Sequence, residues 1–397
     1  MKIKQLPDDF QVEERTDIQP SSGDFALYRL EKTGWTTNDA LGVVRRRWKV
    51  RPERVCYGGM KDRHARTSQH ITILHGPRRG LAQQRIRLTY LGQVPHAFSS
   101  SDIRANRFRI AVRAMTEQGI AAAQRELPEV QRDGLPNYFD DQRFGSVTPA
   151  GGEFVAQHLI RHDFEKALQL ALTGGYEHDR ADAKREKKIL RDHWGDWPAC
   201  KSRLPRGDAR RPIEYLDSHS TDFRGAFERL SPELSGLYLS AYQSWLWNQV
   251  LAEWIERHFG HLPKFMLRLK LQSVPAPREL TEAQRAELAG LMLPLPSARL
   301  HYEDAVPAAP AQWQDALRSV LARNGIELSQ LRVPGLRRPF FSRGERAMWF
   351  RPAGLTVEVS PDECNPNRQK LVLCFELPRG SYATLVLKRV TQNPDDV

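Results

Sequence analysis

The stretch Val55-Cys-Tyr-Gly-Gly-Met-Lys-Asp-Arg-His-Ala-Arg-Thr-Ser-Gln69, running on into His70-Ile-Thr-Ile-Leu74, leaves the chain few ways to fold locally. An apolar run ends at Tyr57. Gly58 and Gly59 then let the backbone turn tightly or come close to another group. Beyond the charged residues a second strand pattern begins, with Ile71 and Ile73 on one face. Two strands therefore flank a glycine-hinged tip, and the tip holds one carboxylate, Asp62, among Lys61, Arg63, His64 and Arg66. Nearby positive charge favours the ionised form of a carboxylate and draws a polyanion towards it. A Lys-Asp-Arg triplet alone is usually a surface ion pair on a solvated loop, so the longer string and the remaining stretches have to decide.

At 397 residues the chain exceeds one ordinary core, and two domains is the natural expectation. Its beginning reads as strands: Phe10 and Val12 alternate with polar residues, and Asp24 to Lys32 sets Phe25 and Leu27 opposite Tyr28 and Leu30. Thr36 or Thr37 can cap a helix in which Ala40, Leu41, Val44 and Trp48 face inward and Arg45, Arg46 and Arg47 outward. That basic face either contacts phosphates or is simply solvated. Leu88 to Val94 and Phe108 to Val112 are further strands, and Ile120, Ala123, Leu127 and Val130 form a helix stripe that Gly134 ends.

The middle of the chain changes character. Helix patterns cover Phe164 to Leu172, Asp179 to Asp192, Ser231 to His258 and Trp313 to Leu321, with Leu234, Leu237, Tyr238, Ala241, Trp245 and Trp254 inward in the longest. Pro275 to Pro310 reads as loops with short elements. Strand patterns return at Leu355 to Val359, Leu371 to Leu377 and Ser381 to Val390, and the acidic end Asn393 to Val397 reads as disordered. Strand-rich ends around a helix-rich middle predict a discontinuous sheet domain with an insertion.

A formal charge of +12 points to an acidic partner, most simply nucleic acid. No apolar run reaches the roughly 18 residues of a membrane span, and the N-terminus lacks a signal-peptide core. Cys56, Cys200, Cys364 and Cys374 lie far apart with no C-x-x-C spacing, which argues against a zinc site and a disulfide framework. A cytoplasmic, metal-free protein is expected.

The Asp62 string and four other separated stretches, in the right order, resemble the TruD family of pseudouridine synthases, and the resemblance covers nearly the whole chain. The Asp62 string is similar to the family's G-x-K-D-[RK]-H-A signature, in which the aspartate is catalytic. Phe10-Gln-Val-Glu-Glu14 with upstream Lys4 resembles its N-terminal strand. Pro136-Asn-Tyr-Phe139 with Gln142-Arg-Phe-Gly145 resembles P-N-Y-F-x-x-Q-R-F-G. Leu239 to Gln249 resembles the S-A-x-x-S-x-x-F-N-Q helix, with Trp247 where Phe is common, and Gly380-Ser-Tyr-Ala-Thr384 resembles the C-terminal G-S-[FY]-A-T.

The resemblance implies an α+β fold: a discontinuous pseudouridine-synthase catalytic domain on a mixed, mainly antiparallel sheet, residues 1–147 and 339–397, with an inserted, mainly helical TRUD domain, residues 148–338. It implies isomerisation of a uridine, uridine 13 of tRNA in most of the family, by a monomer without cofactor or metal. Asp62 would be the catalytic residue, attacking C1′ or C6 or stabilising charge at C1′, alternatives that the residues leave open. The target base must leave the RNA stack, and Phe139 is the aromatic floor that the resemblance offers.

Lys4 would keep Asp62 ionised, and Phe10 belongs to the same substrate-binding strand. Glu14 would orient Lys4 or a loop. Lys61 and Arg63 either turn away from the carboxylate or touch phosphate. His64 is a general base or a structural hydrogen-bonding group. Asn137 positions a polar edge or bonds backbone, and Arg143 clamps phosphate or pairs with Asp140, Asp141 or Glu14. Tyr382 would pack under the site. The basic stretches Lys184 to Lys188 and Arg206 to Arg211 either grip RNA through its backbone and shape or are solvated. A non-catalytic RNA-binding or chaperone protein is the alternative from another class, and an RNA hydrolase using Asp62 a third.

Overall fold

The computed structural model describes residues 1–147, 152–175, 179–300, 312–333, 335–336 and 341–392. The expected disordered tail, and the expected domain boundaries at 148 and 338, fall outside them. The chain forms two compact units, one of Met1–Leu135 with Phe350–Val397, the other of Pro136–Trp349.

The first unit is a ten-stranded sheet with helices packed on it. In chain order its labelled elements are β1 (Lys2–Ile3), β2 (Phe10–Arg15), β3 (Phe25–Thr33), α1 (Thr37–Trp48), β4 (Val55–Tyr57), β5 (Arg66–Leu74), β6 (Leu81–Gln83), β7 (Ile86–Val94), β8 (Ala105–Met115), α2 (Glu117–Asp133), β9 (Ala353–Pro361), β10 (Gln369–Pro378) and α3 (Ala383–Thr391). The strand order is β9-β10-β8-β2-β5-β3-β7-β6, with β1 added on β8 and β4 on β5. Every pair is antiparallel except β2 with β5, where Gln11, Val12 and Glu13 run alongside Arg66, Thr67 and Ser68. The sheet is thus mixed and mainly antiparallel, and the fold is α+β.

Alternation explains the layering, because successive strand residues point to opposite faces. Ala26, Tyr28 and Leu30 of β3, Ile71 and Ile73 of β5, and Ile86 and Leu88 of β7 meet Ala40, Leu41, Val43 and Val44 of α1 in one core. On the other face Leu27, Val94, Phe98 and Ile103 form a smaller cluster. Thr36 caps α1, its side chain accepting from the Asp39 N–H. Arg45, Arg46 and Arg47 fall in the last turn, where cations complement the helix dipole.

One expected strand is a helix. Ser381 to Val390 is rich in β-branched and aliphatic residues, yet Ala383–Thr391 is α3. It packs on α2, and Arg389 donates to Glu126 and to Glu129, one turn apart on that helix. Helical spacing of Leu385, Val386 and Val390 buries all three, so tertiary packing overrides local propensity. Gly380 precedes it at φ +84°, a conformation that glycine adopts without strain.

The second unit is mainly helical among its described residues. Its longest element, Pro232–Phe259, is capped by Ser231 and has Trp247, Val250, Leu251 and Trp254 fully buried. Leu237, expected inward, is half exposed. The region from Pro275 holds a strand, Ser273–Pro277, paired with Lys264–Arg268, and the helix Glu282–Leu288. No helix among the described residues is long and apolar enough to cross a membrane.

Candidate active site

The Asp62 tip joins β4 to β5. Both glycines precede it, for different reasons. A Cβ on Gly58 would lie 2.5 Å from Ile103 Cδ1 and 2.9 Å from Ser99 O, so only glycine fits. Gly59 has open space around its Cα, and its carbonyl accepts from Gln69 Nε2 at 3.1 Å. The tip is then held against the start of α1. Thr37 Oγ1 accepts from the Lys61 N–H at 2.9 Å and lies 2.9 Å from Gln69 Oε1.

Asp62 forms an ion pair with Lys4, and its other oxygen accepts from the His64 N–H at 3.3 Å. Burial alone would raise the Asp62 pKa. The hydrogen bond and charge of Lys4, with the His64 N–H and imidazole, more than offset it, so the carboxyl stays below its ordinary value. Side-chain exposures of 27% for Lys4 and 24% for Asp62 leave the pair reachable. The Lys4 ammonium also lies 4.4 Å from the centre of the Phe10 ring, and Lys4 takes φ 61°, an uncommon conformation for a residue with a side chain. A half-buried, ionised carboxylate on a fixed tip can attack an electrophilic carbon or stabilise positive charge beside it.

Lys61 turns away from that carboxylate. Its ammonium lies 2.9 Å from Glu14 Oε2 and donates to Asn106 Oδ1 at 2.8 Å. Glu14 is buried, and its other oxygen accepts from the His70 N–H at 3.2 Å, so it orients Lys61 and β5 directly. Arg63 and His64 are exposed. Sequence reasoning missed Lys32. It lies at the end of β3, is 1% exposed, and donates to the carbonyls of Trp35, Lys61 and Asp62 at 2.8, 3.2 and 2.9 Å.

The Pro136–Phe139 and Gln142–Gly145 stretches pack within the second unit. Asn248 holds Phe139 by both backbone groups, accepting from its N–H at 2.7 Å and donating to its carbonyl at 2.8 Å. Arg346 donates to Asn137 O, Asn137 Oδ1 and Tyr138 O at 2.8, 2.8 and 3.1 Å, and its guanidinium lies 3.8 Å from the Phe139 ring centre. Asn137 donates to Ala347 O at 2.9 Å. Arg143 donates to Ser244 Oγ at 3.0 Å and lies 5.4 Å from the same ring. Sequence reasoning missed Arg346, which is remote in the chain from everything it touches. Tyr382 stands at the start of α3, half-buried.

The two basic stretches of the middle region pair largely with acids nearby: Arg185 with Asp182, Lys187 with Asp179, Lys188 with Asp192, Arg210 with Glu214 and Arg211 with Asp208. A different basic surface lies on the first unit. Arg29 of β3, Arg66 of β5 and Arg107 and Arg109 of β8 line one groove with Gln11, Glu13, Glu31 and Ser68. Arg87 of β7 stands opposite Glu31 in register.

The family model for tRNA pseudouridine synthase D matches residues 1–390. A chain named tRNA pseudouridine synthase D from Aquifex aeolicus is 29% identical over 405 residues, 98% of each chain. One of the same name from Leptospira interrogans is 29% identical, over 98% of this chain and 95% of its own. The crystal structure of a chain designated tRNA pseudouridine synthase D from Methanosarcina mazei superposes with a TM-score of 0.69 at 26% identity, over 100% of this chain and 94% of that one. Fold and motifs together define a member of the pseudouridine-synthase class. Within that class, the chain belongs to the tRNA pseudouridine synthase D (TruD) family.

Proposed function

We propose that this chain isomerises a uridine of RNA to pseudouridine in the cytoplasm, with uridine 13 of tRNA as the target and Asp62 as the nucleophile. The observation that carries the reading is Asp62 itself, kept ionised by Lys4 and left reachable on a tip that Gly58 and Thr37 fix in place. The reaction breaks the N1–C1′ glycosidic bond, turns the base and rejoins it through C5, whose proton leaves. An ionised carboxylate serves whether the attack falls on C1′ or on C6. The family supplies the reaction class, and the names of the relatives supply tRNA. The arginines of the sheet groove offer charge for a phosphate backbone.

Phe139 is our choice for the ring on which the unstacked base rests, a contact worth ~1–3 kcal/mol per base. Its support is the match to the family motif and the hold that Asn248 and Arg346 keep on it. The boundaries 147/148 and 338/339 are our proposal for the catalytic and inserted domains.

Asp62→Asn keeps the shape of the side chain and removes the charge. Pseudouridine formation, read by a pseudouridine-specific adduct, should disappear while the variant still binds tRNA within a few-fold of the parent. Continued conversion by the variant would overturn the assignment.

A further inference from the structure

Buried lysines normally pair with a carboxylate, because an ammonium removed from water needs strong partners. Lys32 is 1% exposed, yet its three N–H groups all go to backbone carbonyls. Burial lowers its pKa to about 8, with the Asp62 charge raising it and the Lys61 charge lowering it. At neutral pH the group therefore still carries the three protons that three carbonyls require.

The choice of carbonyls is informative. Trp35 O lies just ahead of α1. Lys61 O belongs to the peptide entering Asp62, and Asp62 O to the peptide leaving it. One ammonium thus grips the backbone on both sides of the Asp62 Cα and ties it to the start of the helix. Thr37 holds the Lys61 N–H from the same helix. With both flanking peptides fixed, the direction of the Asp62 Cα–Cβ bond is fixed too. Core packing alone would be served as well by an apolar side chain of similar length.

We propose that Lys32 is a positioning residue, clamping the Lys61–Asp62 backbone so that the Asp62 carboxylate is presented in its reactive orientation. The proposal rests on the reading of Asp62 as the reacting group. Displacing a reacting group by about 1 Å can cost on the order of 100-fold in rate. The effect belongs in the chemical step, because Lys32 is too deeply buried to touch RNA.

The test compares the parent chain, Lys32→Met and Lys32→Arg on one tRNA substrate, with kcat, KM, RNA Kd and thermal unfolding measured for each. Lys32→Met should lose about 100-fold in kcat with KM and Kd within about threefold. Lys32→Arg keeps a charge and donors but cannot form the same tripod, and should recover part of the kcat with KM unchanged. A Lys32→Met enzyme within threefold of the parent kcat overturns the proposal. So does a kcat loss matched by an equal loss of RNA affinity, which marks general damage. Should Lys32→Met fail to fold, Lys32→Arg decides alone: lowered kcat at constant KM supports the clamp, and raised KM at constant kcat overturns it. An inactive parent chain would sink the reading of function and the clamp with it, whereas an active parent with an indifferent Lys32→Met sinks only the clamp.

Discussion

Lys4 and Asp62 are useful to each other only as a charged pair. Removing Lys4 leaves the Asp62 carboxyl with its burial, which raises the pKa, and takes away the hydrogen bond and charge that do most to lower it, leaving His64 and the Lys32 charge. As the proposed nucleophile Asp62 must act as the carboxylate, so activity should fall as pH drops through that pKa. The parent enzyme should therefore hold its kcat through the ordinary carboxylate range. Lys4→Met should move the acid limb of the kcat–pH profile upward by ~1–3 units. Stability follows the same sign. A depressed carboxyl pKa stabilises the fold above the unfolded value, and that contribution is lost as pH falls through the folded one. The strand–tip–strand unit that carries Asp62 was legible in the sequence because its residues are contiguous. Lys32 was not, because a lysine closing an alternating strand looks like any solvated end. What sets it apart is the return of residues 61 and 62 onto it. Arg346 was hidden for the same reason, since Asn137 and Tyr138 reach it only through folding.

Among the elements, β8 holds the sheet's middle to both ends of the chain. Its Arg113 is buried and donates to Asp9 at 2.8 Å, Asp362 at 2.9 Å and Glu363 at 3.0 Å. Asp362 also accepts from the Ala114 and Cys364 N–H groups. Asp9 immediately precedes β2, which carries Phe10 and Glu14, so the site hangs partly on this cluster. Removing one partner of a buried ionic group typically costs ~3–5 kcal/mol, and Arg113→Met should lower unfolding stability by about that much in urea titrations. Most strands and helices were readable from period alone. The exception, α3, has residues that suit a strand and a partner, α2, that demands a helix. Its Arg389 contacts with Glu126 and Glu129 are invisible to any local pattern.

For the molecule as a whole, the +12 charge matters where arginines outnumber acids, as in the sheet groove with its four arginines against Glu13 and Glu31. The two basic stretches of the middle region pair largely with nearby acids, so the arginine groove of the sheet is the better candidate for phosphate. If Arg107 and Arg109 each neutralise a phosphate, the double change to Ala should flatten the slope of log Kd against log salt by about 2, roughly 1 per contact. Asp62→Asn should leave that slope alone, and filter binding between about 50 and 200 mM salt distinguishes the two. The α+β class was legible because alternating and 3.6-residue patterns occupy different stretches. The grouping of Pro136–Phe139 with the second unit was not, because the holds on it come from Asn248 and Arg346. One further property follows from the register of β8 with β10, which pairs Ala105 to Met115 with Pro378 to Gln369. A ribosome adding ~5–20 residues per second needs on the order of ten to fifty seconds to travel from one to the other. Throughout that interval the emerging polypeptide shows an adhesive rim whose native cover, β10, has yet to be translated.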